Sequence, residues 1–181
     1  MNTFNILLLL ILTIVAVNAL VLHPSENTKL YVTRNGLTVA ATSQEHAETL
    51  SRIHEKLQII VKHTSLDVDG FSGNLVEIPR KQGMEEVAYS LNKGEKIALC
   101  VDGQDENTML YVAIHELAHV ATKDTGHSEE FWKNFETLLR EAVDLGVYEY
   151  QPFHKHGEEY CGVKIDNTPF ICNNCNVYKA Q

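Results

Sequence analysis

Residues 109–122, Met109-Leu110-Tyr111-Val112-Ala113-Ile114-His115-Glu116-Leu117-Ala118-His119-Val120-Ala121-Thr122, decide how the chain is read. Met109, Leu110, Val112, Ala113, Leu117 and Val120 recur at helical intervals, and Asn107 stands before them as a candidate N-cap. On such a helix His115 and His119 lie one turn apart on one face, so both imidazoles can address a single tetrahedral metal ion. Glu116 follows His115 by about 100° around the axis, within reach of a metal-bound water but clear of the metal, the place for a general base.

A catalytic zinc needs a third protein ligand and an open position. Gly126-His127 answers this: the glycine permits a reversal, and His127 directly precedes Ser128, which caps a second helix. That helix carries Glu129 and Glu130 in its first turn, continues through Phe131, Trp132, Phe135, Leu138, Leu139 and Ala142, and stops at Gly146. Its aromatic face is placed to clamp His127 on the core. H-E-x-x-H alone also occurs as a solvated helix face, but the apolar helix, the Gly-His pair and the capped aromatic helix together favour a metal site. His23, His46, His54, His63, His154 and His156 lack chelating spacing and read as ordinary polar residues.

Towards the amino terminus, residues 29–42 read as a β-hairpin around Asn35-Gly36. Thr42 and Glu45 have capping-box spacing, and Leu50, Ile53, Leu57, Ile60 and Val61 follow at helical intervals to about Lys62. Residues 64–79 look loop-like, with a short apolar piece at 75–78 that Pro79 ends and that suits an edge strand. Residues 87–91 and 96–101 form a second candidate hairpin around Asn92-Lys93-Gly94-Glu95. The fold class expected is α+β, with an irregular tail after Tyr148.

A chain of 181 residues, 44% apolar and 22% charged, supports one domain with its own core. With 24 acidic against 15 basic residues, a net charge of -9 and no Lys/Arg run, no nucleic-acid partner is expected. Residues 1–22 stand apart: from Phe4 to Leu22 there is no charged side chain. This segment is a signal peptide, for which Val17-Asn18-Ala19 resembles a cleavage site, or a membrane anchor, since no Lys or Arg precedes the apolar run. The domain at 23–181 is then anchored in a membrane through residues 4–22 or secreted. In an oxidising compartment Cys100, Cys161, Cys172 and Cys175 allow two disulfides in any of three pairings, and the reading leans to at least one within the tail; in a reducing cytosol they are free thiols.

Residues 89–162 resemble the WLM and SprT-like zinc metallopeptidases, and among these the metallopeptidases encoded by large DNA viruses. The likeness is carried by YSLNKGEKIALCV (89–101), MLYVAIHELAHVAT (109–122), GHSEEFWKNFETLLREA (126–142), GVYEY (146–150) and YCG (160–162), spread over a span of about 75 of 181 residues. It implies a minimal zincin: a small antiparallel or mixed sheet packed on an active-site helix and the helix after it, one catalytic Zn2+ on His115, His119 and His127, and Glu116 as catalytic glutamate. The DNA-repair branch carries basic DNA-binding segments that this acidic chain lacks, so a DNA role is not carried over; the viral branch suggests a virion or membrane-associated protein.

The function expected is therefore a zinc metallopeptidase that hydrolyses peptide bonds of a protein or peptide substrate by Glu116-assisted attack of a zinc-bound water. Tyr148, Tyr150 and the zinc itself are the candidates for stabilising the oxyanion, the zinc foremost. The rival is a non-catalytic membrane-associated zinc-binding protein; a structural site would want a fourth Cys or His, and none has suitable spacing.

Overall fold

Asn35-Gly36 does reverse the chain. In the computed structural model, which describes residues 27–79, 86–173 and 175–176, β1 (Lys29–Val32) and β2 (Thr38–Ala41) pair antiparallel with Lys29 opposite Ala41. The helix that follows, α1 (Gln44–His63), is capped one residue later than its sequence suggests: the Ser43 side chain accepts from the backbone N–H of His46. Thr42 is drawn elsewhere, its N–H and hydroxyl both donating to the Glu77 carboxylate.

Glu77 belongs to β3 (Leu75–Glu77), and here the edge-strand expectation is corrected. The sheet runs β1-β2-β3-β5-β4, with β5 at Lys96–Leu99 and β4 at Ala88–Leu91, so β3 is central and parallel to both neighbours. All three of its residues are buried, and the acidic one is tolerated because Thr42 and His46 satisfy its oxygens. The second hairpin is as expected, β4 antiparallel to β5 with Leu91 opposite Lys96. Its turn passes Gly94 so close to Gly70 that a Cβ on Gly94 would stand 2.8 Å from the Gly70 carbonyl oxygen, at φ +100°.

The fold is α+β. Val39, Ala41, Leu75, Ile97 and Leu99 of the sheet share one core with the buried residues of α1, of α2 (Glu106–Ala121) and of α3 (Glu129–Asp144). The cap of α2 is Asp105, whose side chain accepts from Thr108 N, and not Asn107. Asn107 lies inside the helix and buried, exchanging hydrogen bonds with the backbone of Glu149. Twelve residues of α2 are buried, so this helix is enclosed on most sides, whereas α3 buries a single stripe.

The tail is not wholly irregular. β6 (Glu158–Tyr160) and β7 (Val163–Ile165) form a small hairpin about Cys161-Gly162, both at positive φ (50° and 88°), as a two-residue type I′ turn demands. Cys100 is bonded to Cys161 and Cys172 to Cys175. The 1–22 signal or anchor lies outside the described residues, and among those described no helix is long and apolar enough to cross a membrane.

Candidate metal centre

The predicted histidines converge. One turn of α2 separates His115 from His119, and the chain after Thr122 bends at Gly126 to return His127 to them, just before the Ser128 cap of α3. One ligand atom from each ring lies within 4.8 Å of the others. The Nε2 atoms of His115 and His127 are 3.1 Å apart, close to the about 3.3 Å spanned by two nitrogens on one tetrahedral zinc with bonds near 2.05 Å. Burial, joined by repulsion from His119 and His127, lowers the pKa of His115 to about 3; burial, with His127 and Lys93, lowers that of His119 to about 4. The rings of His115 and His119 are thus held neutral and can offer lone pairs to a cation. This donor set fits a divalent metal ion of the zinc type.

The clamp behind them is aromatic. Phe131 lies with its ring centroid 4.3 Å from that of His119 and 4.6 Å from that of His127, and Trp132 lies 5.6 Å from His127. His46 instead binds Thr42 and Glu77, and the exposed His154 and His156 are not part of the group.

Glu116 is 6% exposed. Burial first, then the charge of Glu86, raises its pKa to about 7, against the opposing pull of the Ser90 backbone. A carboxyl poised there accepts and releases a proton near neutrality.

A cleft with two arms meets at this group, since Glu86, Ala88, His115 and Glu116 border both. The polar arm, about 550 Å³, runs past Asn92, Lys93 and His127; the apolar arm, about 530 Å³, runs between Tyr111, Trp132 and the β6–β7 hairpin. β4, an edge strand, forms one bank of both. Tyr148 and Tyr150 border neither arm, and Tyr150 donates to the Phe170 carbonyl. The tyrosines that do line the cleft are Tyr89 in the polar arm and Tyr111 and Tyr160 in the apolar arm, the hydroxyls of the last two already engaged by the carbonyls of Asn167 and Cys100. Tyr111 was legible, one turn before His115 on the same helix face. Lys93 and the tail hairpin left no comparable signal.

No protein-family model matches the chain. By sequence it is similar to an uncharacterized protein of Acanthamoeba polyphaga mimivirus, 41% identical over 85 residues covering 44% of this chain and 43% of that protein. It is also similar to an uncharacterized protein of Invertebrate iridescent virus 6, 28% identical over 128 residues, 62% of this chain and 70% of that one. The chain thus spans less than half the length of the mimivirus relative. By shape it is similar to the crystal structure of Wss1 from Saccharomyces cerevisiae, with a TM-score of 0.46 and 21% identity over 60% of this chain and 88% of that chain.

Proposed function

We propose that the chain is a zinc-dependent metallopeptidase, with His115, His119 and His127 holding one zinc ion and Glu116 acting as general base. The observation that carries this is the convergence of three imidazole nitrogens within 4.8 Å beside a buried carboxyl, at the junction of an open cleft. Among the described residues this group has no fourth protein ligand, which favours catalysis over a closed structural site. A zinc ion held there supplies Lewis acidity, polarising a carbonyl and acidifying water. Glu116 takes the proton from the attacking water and hands it to the departing amine nitrogen. The Tyr111 and Tyr160 hydroxyls are committed to backbone carbonyls, so neither is free to stabilise the oxyanion.

A peptide suits the cleft because β4, at the edge of the sheet among the described residues, offers backbone donors and acceptors to an extended chain. The net charge of -9 supports a substrate other than nucleic acid. Two disulfides suit an oxidising compartment, reached by secretion or by anchoring through residues 4–22.

The test is zinc content and cleavage of unfolded casein by the full chain. Glu116→Gln is expected to keep one zinc per chain and lose activity by a factor of about 10² or more. His127→Ala is expected to lose the zinc. A zinc-bound wild type whose activity Glu116→Gln leaves unchanged, or a folded wild type that takes up no zinc, would sink the reading.

A further inference from the structure

The apolar arm of the cleft is a chamber open to solvent with an unusual wall. Its floor is Tyr111, Phe135 and Trp132, from α2 and α3; its far wall is Val163 and Ile165, from a tail that contributes nothing to the main sheet. That wall is fixed at several points. Cys161 is bonded to Cys100, and the Tyr160 hydroxyl donates to the Cys100 carbonyl at 2.5 Å. Tyr111 donates to Asn167 O at 2.8 Å, and Thr108 donates to the Glu158 carboxylate at 3.0 Å. A hairpin tied at both ends to α2 and to the end of β5 holds its side chains in place without a sheet behind it.

We infer that this chamber is a side-chain subsite for a bulky apolar residue, aromatic by preference, next to the bond being cut, and that the tethered β6–β7 hairpin sets the preference. Three features argue for that occupant. The chamber opens onto His115 and Glu116, so a side chain in it belongs to a residue beside the reacting carbonyl. Its volume of about 530 Å³ exceeds what a small side chain fills, so a bulky one gains most from burial. Glu86 and Asp166 stand on its border, with Lys164 spent on Asp166 at 3.3 Å, which disfavours an acidic side chain. The position beside the cut bond rests on the peptidase reading; the chamber's taste for apolar groups does not.

Trp132 is the sole tryptophan of the chain and lines the chamber, so its emission reports an occupant. The experiment uses the full chain carrying Glu116→Gln, saturated with zinc, titrated with acetylated tripeptide amides differing only in a central Phe, Leu, Ala or Asp. Phe and Leu peptides are expected to shift the emission saturably, and Ala and Asp peptides to bind about tenfold more weakly or not at all. Ile165→Phe, or the more exposed Val163→Phe, is expected to abolish the advantage of Phe over Ala. With the wild type, the termini of casein fragments should show Phe, Tyr, Leu or Met enriched at one position beside the cut. Equal responses to all four peptides, or a Phe preference untouched by both variants, overturns the subsite. Cleavage without an apolar preference does the same. Emission changes without any cleavage would leave the subsite standing and remove the peptidase reading instead.

Discussion

Lys93 stands outside the histidine motif yet touches what holds it. From the β4–β5 turn its ammonium donates to the carbonyls of Thr122 at 2.5 Å, Lys123 at 3.1 Å and Asp124 at 3.4 Å, where α2 ends and its unpaired carbonyls and negative dipole end gather. Asn134 holds the same corner from α3, donating to Ala121 O and Thr122 Oγ1. The segment so fixed returns His127 to His115 and His119. Lys93→Met is therefore expected to weaken zinc binding by roughly tenfold, read by competition with a chromophoric chelator, as loss of ligand-orienting contacts does elsewhere. Lys93→Arg should recover part of it. Zinc affinity unchanged in Lys93→Met would mean that the aromatic clamp and Asn134 suffice. His115, Glu116, His119 and His127 were legible in the sequence because helical spacing and a Gly-His-Ser turn are local patterns. Lys93 was not, because its role exists only once two distant loops meet.

The helices illustrate the same division between local and distant causes. Their periodicity placed α1, α2 and α3 to within about two residues, while their caps moved: Ser43 and Asp105 serve where Thr42 and Asn107 were expected, since Glu77 and Glu149 claim those side chains. The central position of β3 escaped notice because three residues pairing in parallel on both sides carry no local signature. The first turn of α2 is tied to α1 by Glu106, which accepts from Arg52 at 2.7 Å and from Lys56 at 2.9 Å. Burial pushes the Glu106 pKa up, but the two cations more than offset it and leave it below the ordinary 4.5. A carboxyl bound less tightly to its proton when folded stabilises the fold above the unfolded value, and that contribution is lost as pH falls through the folded value. Glu106→Gln should thus destabilise the fold at pH 7 by no more than about 1 kcal/mol for so solvent-accessible a pair, seen as a slightly lower midpoint of thermal unfolding, and leave the midpoint unchanged at pH 2.5. An equal difference at both pH values would show that the ion pairs are not the cause.

At the scale of the molecule, the two disulfides do different work. Cys100 and Cys161 are separated by 61 residues, and the bond between them closes a loop that takes in α2 and α3; Cys172 and Cys175 are separated by 3 and close almost nothing. Loop-closure entropy assigns about 4 kcal/mol to the first and about 1.5 kcal/mol to the second. Replacing Cys100 and Cys161 together by Ser should lower the thermal midpoint far more than replacing Cys172 and Cys175. The first pair also fixes the wall of the apolar chamber, so its removal carries a functional signature that a mere loss of stability does not. At a temperature where the double variant remains folded, zinc content should be retained, since none of the three histidines is on the tail. The advantage of Phe over Ala in the Trp132 titration should fall towards unity, since the hairpin that carries Val163 and Ile165 then loses its covalent tie and keeps only its hydrogen bonds and the packing of Tyr160 and Ile165 on the core. Loss of zinc together with loss of preference would mean that the bond supports the whole core rather than the wall. Retained zinc and retained preference would mean that Tyr111, Tyr160 and Thr108 hold the hairpin unaided.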